Sequence, residues 1–167
     1  MMHKENMLNA MKKALQGEKD SYALYSRAAE SSQDPQVRDF FSGRAEEEKR
    51  HYNYLLKYHA QVSGDQPAGE VPSELSKLNE LPQFFGKDFI QRIGADQYLF
   101  SAISTALLLE KDAFEHYRQL EDMADSFTLK SFFGLLAAWE VRHYDELLAI
   151  QKEAELYYWE VNDFEPM

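Results

Sequence analysis

The chain has 167 residues, 44% hydrophobic and 28% charged, which is typical of one soluble globular domain. Its net charge of −11 at pH 7 argues against nucleic acid and anionic membranes as partners, because both require clustered Lys and Arg. Cysteine is absent, which excludes disulfides, thiolate metal sites and cysteine nucleophiles. The N-terminal segment lacks the apolar core of a secretion signal, and no apolar run reaches about 18 residues, so we expect a cytoplasmic protein without a membrane span.

The first half of the chain predicts two amphipathic helices joined by a tight turn. Apolar residues recur at three- and four-residue spacing over about residues 4–32 and again over 35–62. The sequence between them is typical of a turn, with Asp34 as the N-cap and Pro35 at the first helical position. These helices should pack as an antiparallel hairpin.

Residues 63–93 differ, because Pro and Gly recur there and prevent a long helix. A connection of this length suits a crossover that runs along a bundle, with short helices near 73–79 and 85–92. Three aromatic side chains of the crossover should dock on the bundle or on another subunit: Phe84, Phe85 and Phe89.

Two more amphipathic helices follow, over about 95–124 and from the turn at residues 125–126 to about 158. The tail at 159–167 is acidic and indicates no function. We therefore predict an all-α fold, an antiparallel four-helix bundle in which hairpin 4–62 and hairpin 95–158 are joined by the crossover.

The two hairpins are copies of one another. A shift of 92 positions, without a gap, lays the second on the first. The coinciding pairs include Glu18 and Glu110, Tyr25 and Tyr117, Phe41 and Phe133, Glu48 and Glu140, and His51 and His143. Glu18 and Glu48 each lie 15 residues, or roughly 22 Å of helix, from the middle of their turn, so antiparallel packing brings them level. Packing the hairpins about a pseudo-twofold axis then gathers four glutamates and two histidines in the core.

A charged run such as Glu46-Glu47-Glu48-Lys49-Arg50 is usually a solvated helix face, and a single buried Glu often only sets register. Four carboxylates and two imidazoles at one level are different, because burying them without counter-charge would cost many kcal/mol. Two divalent cations would balance the four negative charges. Carboxylate and imidazole ligands without sulfur suit iron or manganese, with zinc as an alternative.

The sequence therefore predicts a site for two metal ions, in which the shared or bridging ligands come from the second and fourth helices. The six predicted ligands are Glu18, Glu48, His51, Glu110, Glu140 and His143. Glu18 and Glu110 would be terminal ligands, and each His would bind one ion. Glu46, Glu47, Lys49 and Arg50 should remain in solvent.

Tyr25 and Tyr117 lie two helical turns beyond Glu18 and Glu110 on the same faces. Their hydroxyls are placed to hydrogen-bond ligand carboxylates across the bundle. The alternative is that both are core tyrosines that only pack.

This pattern resembles that of the ferritin-like superfamily, specifically its rubrerythrin branch. The resemblance rests on Glu18 with Tyr25, residues 48–51, Glu110 with Tyr117, and residues 140–143, and it covers both hairpins. It implies a di-iron or iron–manganese centre, a homodimer, and redox chemistry with hydrogen peroxide or dioxygen.

The sequence departs from this family pattern at two points. Rubrerythrins proper carry a rubredoxin-like domain with Cys-ligated iron, whereas this chain has no Cys, so electrons should come from a separate donor protein. Ala113 stands where an additional glutamate is common. The leading hypothesis is a di-iron oxidoreductase that reduces peroxide. The alternatives are an iron-oxidising or iron-handling protein and a metal-stabilised structural bundle.

Overall fold

The computed structural model describes residues 2–80 and 85–162, with the side chains of residues 79, 80 and 162 left aside. The elements are α1 (Met2–Ser31), α2 (Pro35–Ser63), a 3₁₀ helix (Ser73–Glu80), α3 (Lys87–Ala95), α4 (Gln97–Met123) and α5 (Phe127–Asn162). Within those ranges every element is helical and none is a strand, which confirms the all-α prediction. Helix α5 continues to Asn162, a few residues beyond its predicted end. In the described part of the chain, no helix is both long and apolar enough to span a membrane.

Helices α1 and α2 form one hairpin, and α4 and α5 form the other. Local capping fixes where these helices start. The Asp34 carboxylate accepts a hydrogen bond from the Val37 amide at 3.0 Å, and Pro35 occupies the first turn, as predicted. Asp96 caps α4 in the same way, 3.1 Å from the Leu99 amide.

The hairpins meet through a close approach of α1 to α4 and through side chains that reach between α2 and α5. Two apolar clusters fill the interior. One is centred on Phe41, Ile93 and Ile103, and the other on Met11, Phe132 and Phe133. The buried glutamates and histidines belong to neither cluster, so a polar layer crosses an otherwise apolar core.

The first part of the crossover covers one side of this polar layer. Leu75 of the 3₁₀ helix is fully buried, and its carbonyl accepts a hydrogen bond from the Trp139 indole at 2.9 Å. The Tyr58 hydroxyl donates to the Gly69 carbonyl at 2.9 Å. These contacts attach the crossover to both α2 and α5.

Helix α3 packs against the other end of the bundle. A Cβ at Gly94 would lie 2.8 Å from the Ala154 carbonyl oxygen, so only glycine permits this approach of α3 to α5. Phe85 and Phe89 contact Phe40 with ring centroids 5.4 and 5.3 Å apart. The predicted docking on the bundle is confirmed for both; Phe84 lies outside the described residues.

Candidate metal centre

All six side chains predicted as ligands lie in the polar layer. Their exposed fractions are 3% for Glu18, 1% for Glu48, 0% for His51, 0% for Glu110, 1% for Glu140 and 2% for His143. Helices α1, α2, α4 and α5 each contribute, because the interior stripe of each helix carries its acidic residue at the same level. Buried acidic groups at this density require counter-charge.

The six residues form two groups that share two members. One group consists of Glu18, Glu48, His51 and Glu140, and the other of Glu48, Glu110, Glu140 and His143. In each group the potential ligand atoms lie within 4.8 Å of one another. Each group therefore offers three carboxylates and one imidazole to one ion, with Glu48 and Glu140 common to both.

Several buried atoms of this layer lack a hydrogen-bond partner among the described residues. They include Oε2 of Glu18, Oε1 of Glu48, Oε2 of Glu110 and Nδ1 of His143. A buried oxygen or nitrogen without a partner costs about 1–3 kcal/mol. Because the same residues each offer a ligand atom to one of the two groups, cations bound there would offset this cost, and the residues fit a metal site.

Two tyrosines hold the outer glutamates across the bundle. The Tyr25 hydroxyl on α1 donates to Oε1 of Glu110 on α4 at 2.5 Å. In the mirrored contact, the Tyr117 hydroxyl on α4 donates to Oε1 of Glu18 on α1. These are the contacts suggested by the sequence spacing, and they tie the first hairpin to the second.

The two histidines present the same nitrogen to the carboxylates. Nδ1 of His51 lies 3.2 Å from Oε1 of Glu140, and Nδ1 of His143 lies 3.3 Å from Oε1 of Glu48. The rings are nearly parallel, with centroids 6.4 Å apart. Each imidazole therefore points its inner nitrogen at a shared glutamate of the opposite hairpin.

The acidic residues crowd one another enough to shift their protonation. Burial, together with the charges of Glu110 and Glu48, raises the pKa of Glu140 to about 8. Burial and the charges of Glu48 and Glu140 also raise the pKa of Glu18. Burial alone would raise the pKa of Glu110, but the neighbouring carboxyl group of Glu140, the charge and proximity of His143 and the hydrogen bond from Tyr25 lower it to about 2. Without metal, the layer therefore retains protons that a cation would displace.

Comparison with known proteins gives the family. The family model described as Rubrerythrin matches residues 9–151, which include both hairpins and all six buried residues. The chain belongs to the rubrerythrin family. This membership and the buried cluster together indicate a binuclear metal site. No curated protein sequence matches the chain significantly.

A solved structure resembles this rubrerythrin-family chain in its fold. It is a two-domain protein from Anabaena variabilis with DJ-1/ThiJ/PfpI-like and ferritin-like domains, at 19% sequence identity and a TM-score of 0.54. The match covers 89% of this chain and 40% of that one, so this chain spans well under half of its neighbour. The likeness supports the ferritin-like fold.

In this rubrerythrin-family chain the expectation that Glu47 lies in solvent is wrong. Glu47 was expected in solvent, but its side chain is 22% exposed and its Oε2 lies 2.7 Å from Nε2 of His143. Burial by itself would raise the pKa of Glu47, but the hydrogen bond from His143 and the charges of His143 and Arg44 lower it to about 2. The expectation holds for Glu46, Lys49 and Arg50, which are exposed.

Arg44 is a second residue near the site whose burial is not among the expectations from the sequence. Its guanidinium is buried at 6% exposure and forms an ion pair with Glu146 of α5. Glu146 also pairs with Arg142 at 2.9 Å, so the pairs link α2 to α5 beside His143. The position of Arg44 on the apolar stripe, between Phe41 and Glu48, is the signal that would have revealed its burial.

A cavity of about 270 Å³ between α1 and α4 leads toward the polar layer. Its lining includes Glu18 and Tyr117, with the small residues Gly17 and Ala113 beside them. Ala113 is the position at which the family pattern commonly has an additional glutamate. The small side chain here contributes to an opening toward Glu18.

Proposed function

We propose that this chain is a non-haem di-iron oxidoreductase that reduces hydrogen peroxide with electrons from a separate donor protein. The observation that supports this most strongly is the sharing of Glu48 and Glu140 by two buried groups of ligand atoms. Shared carboxylates are suited to holding two ions next to each other. Peroxide reduction takes two electrons, which matches a pair of one-electron metals.

In this proposal Glu48 and Glu140 would hold both ions, Glu18 would hold the ion at His51, and Glu110 would hold the ion at His143. His51 and His143 each give one nitrogen to one ion, through Nδ1. Iron is the preferred metal, because the ligands are oxygen and imidazole nitrogen without sulfur, and manganese or zinc also suits them. When bound, two iron ions supply the two electrons that split the O–O bond.

The rest of the chain controls the surroundings of that chemistry. Tyr25 and Tyr117 orient the terminal carboxylates by hydrogen bonds. The apolar clusters on either side of the layer limit bulk water. The cavity beside Ala113, about 270 Å³ in volume and lined by Glu18, is large enough for hydrogen peroxide or dioxygen to approach Glu18.

The partners belong to the same proposal. Electrons are proposed to come from a separate donor protein, and these 167 residues include no Cys that could hold a rubredoxin-type iron. We propose that the protein works in the cytoplasm as a homodimer, with no nucleic acid or membrane partner, in keeping with its charge of −11.

Stopped-flow oxidation tests the function. The protein is loaded anaerobically with Fe(II) and mixed with either hydrogen peroxide or dioxygen. We expect oxidation by peroxide to be much faster than by dioxygen. Equally slow oxidation by both would refute peroxide reduction. Faster reaction with dioxygen, in a large hollow assembly, would favour iron oxidation for storage instead.

Two glutamate variants of α2 form a matched pair for this experiment. Glu48→Gln removes the charge of a carboxylate that both groups share. The variant should lose its bound iron and, with it, the fast oxidation by peroxide. Glu46→Gln changes a neighbouring exposed carboxylate and should behave like the natural protein. Tight zinc binding without any redox change would favour a structural role.

A further inference from the structure

We propose that Glu47 makes the two metal positions unequal, so that the position at His143 binds its ion more tightly and fills first. This inference rests on the metal centre of the proposed function. Glu47 does not touch either position. It acts as a positioning residue through His143.

The residues that would bind the ions directly give no reason for the two positions to differ in affinity. Each position has its own terminal glutamate, its own histidine and the same two shared glutamates. The tyrosine contacts are mirrored as well, with Tyr25 on Glu110 and Tyr117 on Glu18. Any difference between the positions must therefore come from residues outside these contacts.

The outer nitrogens of the histidines do differ. Nδ1 of His143 faces Glu48 and Glu110 at 3.3 and 3.5 Å, while its Nε2 lies 2.7 Å from Oε2 of Glu47. His143 can therefore donate from Nε2 to Glu47 and keep the Nδ1 lone pair for an ion. On His51, Nε2 is buried and has no hydrogen-bond partner among the described residues.

The internal repeat shows where this asymmetry arises. The position equivalent to Glu47 in the second hairpin is Trp139. Its ring packs edge-on against both His51 and His143, with centroids 5.7 and 6.1 Å apart, and its indole N–H is already donated to the Leu75 carbonyl. Indole has no acceptor to offer an imidazole N–H. Trp139 therefore borders both histidines, and the difference between them is the outer carboxylate of Glu47, which only His143 has among the described residues.

A carboxylate on the outer nitrogen of a ligating histidine fixes its tautomer and orientation and increases its basicity as a ligand. Loss of such a partner weakens metal binding by about 10–100-fold. Arg44 would oppose this by repelling a cation, but its guanidinium is paired with Glu146. We therefore expect the position at His143 to bind about 10–100-fold more tightly than the position at His51.

Calorimetric titration of the metal-free protein with Mn²⁺ tests the proposal. The natural protein should bind two ions in two steps, the first with the lower dissociation constant. His143→Ala should remove the tight step and His51→Ala the weak one. Glu47→Ala should weaken the tight step by about 10–100-fold, so that the steps merge. Glu46→Ala, at an exposed neighbour, should change neither.

Glu47→Gln tests whether Glu47 acts on the metal position through its hydrogen bond and charge at His143, or only supports the local structure. The amide oxygen of Gln still accepts the hydrogen bond from Nε2 but carries no charge, so the tight step should be weakened less than in Glu47→Ala. Repulsion between two ions would also produce two unequal steps, so the steps alone do not support the proposal.

Three results would overturn it: equal steps in the natural protein, a tight step unchanged in Glu47→Ala and Glu47→Gln, or loss of the tight step in His51→Ala. Failure of the natural protein to bind Mn²⁺ or Fe²⁺ at all would instead refute the metal centre, and with it the proposed function. Two ions bound with no influence of Glu47 would leave the proposed function intact.

Discussion

The hydroxyl of Tyr25 lies 2.5 Å from a carboxylate oxygen of Glu110, joining the first hairpin to the second inside the polar layer. Both groups are buried, with exposed fractions of 1% and 0%. The hydrogen bond engages Oε1 of Glu110, while Oε2 of the same carboxylate has no hydrogen-bond partner among the described residues. The tyrosine thereby fixes one oxygen of the carboxylate and leaves the other for a cation.

Tyr25→Phe should therefore weaken metal binding without preventing folding. Removing the hydroxyl frees the Glu110 carboxylate to rotate, and loss of an outer hydrogen bond of this kind costs about 10–100-fold in affinity. The measurement is the Fe²⁺ dissociation constant under anaerobic conditions. Tyr22→Phe, on the exposed face of the same helix, is the control. Equal affinities in the two variants would contradict a role for the Tyr25 hydroxyl.

Removal of the metal should destabilise the fold. A ligand present at 100 times its dissociation constant adds about 2.7 kcal/mol, equivalent to about 5–10 °C in Tm for a chain of this size. Thermal unfolding followed by circular dichroism, with and without a chelator, measures this. In Glu48→Gln the chelator should have little effect. An identical Tm for the loaded and chelated natural protein would argue against a metal in the core.

The metal-free protein should lose stability as the pH rises from about 4.5, the ordinary pKa of a Glu carboxyl group, to about 8. The pKa of Glu140 is raised to about 8 by burial and by the charges of Glu110 and Glu48. Burial alone would lower the pKa values of His51 and His143, but neighbouring glutamates raise both. Groups with raised pKa values stabilise the folded state at low pH, and that stabilisation is lost as the pH rises through the folded-state values.

Glu110 and Glu47 have lowered pKa values, so their effect on stability is confined to acid pH, below the ordinary pKa of a carboxyl group. They do not change the expected loss of stability with rising pH. Tm at several pH values is the readout. Glu140→Gln should reduce the slope because it removes one of the titrating groups. Metal should reverse the trend, since cations and protons compete for the same atoms. A Tm of the metal-free protein that rises over this range would contradict the expected direction.

The cavity beside Ala113 should govern access of the oxidant. Ala113→Phe would fill part of the roughly 270 Å³ next to Glu18 and should slow oxidation by peroxide several-fold while two ions remain bound. Leu108→Phe, at a residue of the same helix that is 67% exposed, is the matched control. An unchanged rate in Ala113→Phe would indicate that peroxide enters by another route.

Much of the fold follows from the sequence because its signals are local or repeated. The apolar period gives the four long helices, and Asp34 with Pro35 gives the start of α2. The internal repeat shows which glutamates lie at the same height in the bundle, and the pattern of a single helix cannot show this. Glu48 has a glutamate counterpart in the repeat and Glu46 has none, which predicts that Glu48 points inward. In the structure Glu48 is buried and Glu46 is exposed.

The contacts outside the repeat were not predictable in the same way. Glu47 and Trp139 occupy equivalent positions but differ in chemistry, so the duplication gave no information about either. The partial burial of Glu47 depends on how α5 brings His143 over α2, which is a tertiary effect. The ion pair of Arg44 with Glu146 likewise joins residues that are distant in sequence and have no repeated counterpart.

The decisive measurement for a di-iron centre that reacts with peroxide is the stoichiometry of iron binding and of iron oxidation. Metal-free protein is titrated anaerobically with Fe²⁺, excess metal is removed, and the bound iron is oxidised with measured amounts of hydrogen peroxide. We expect two Fe²⁺ per chain and complete oxidation by one peroxide per chain, because two one-electron donors match one two-electron acceptor. One ion per chain, or two ions that peroxide leaves unoxidised, would contradict it.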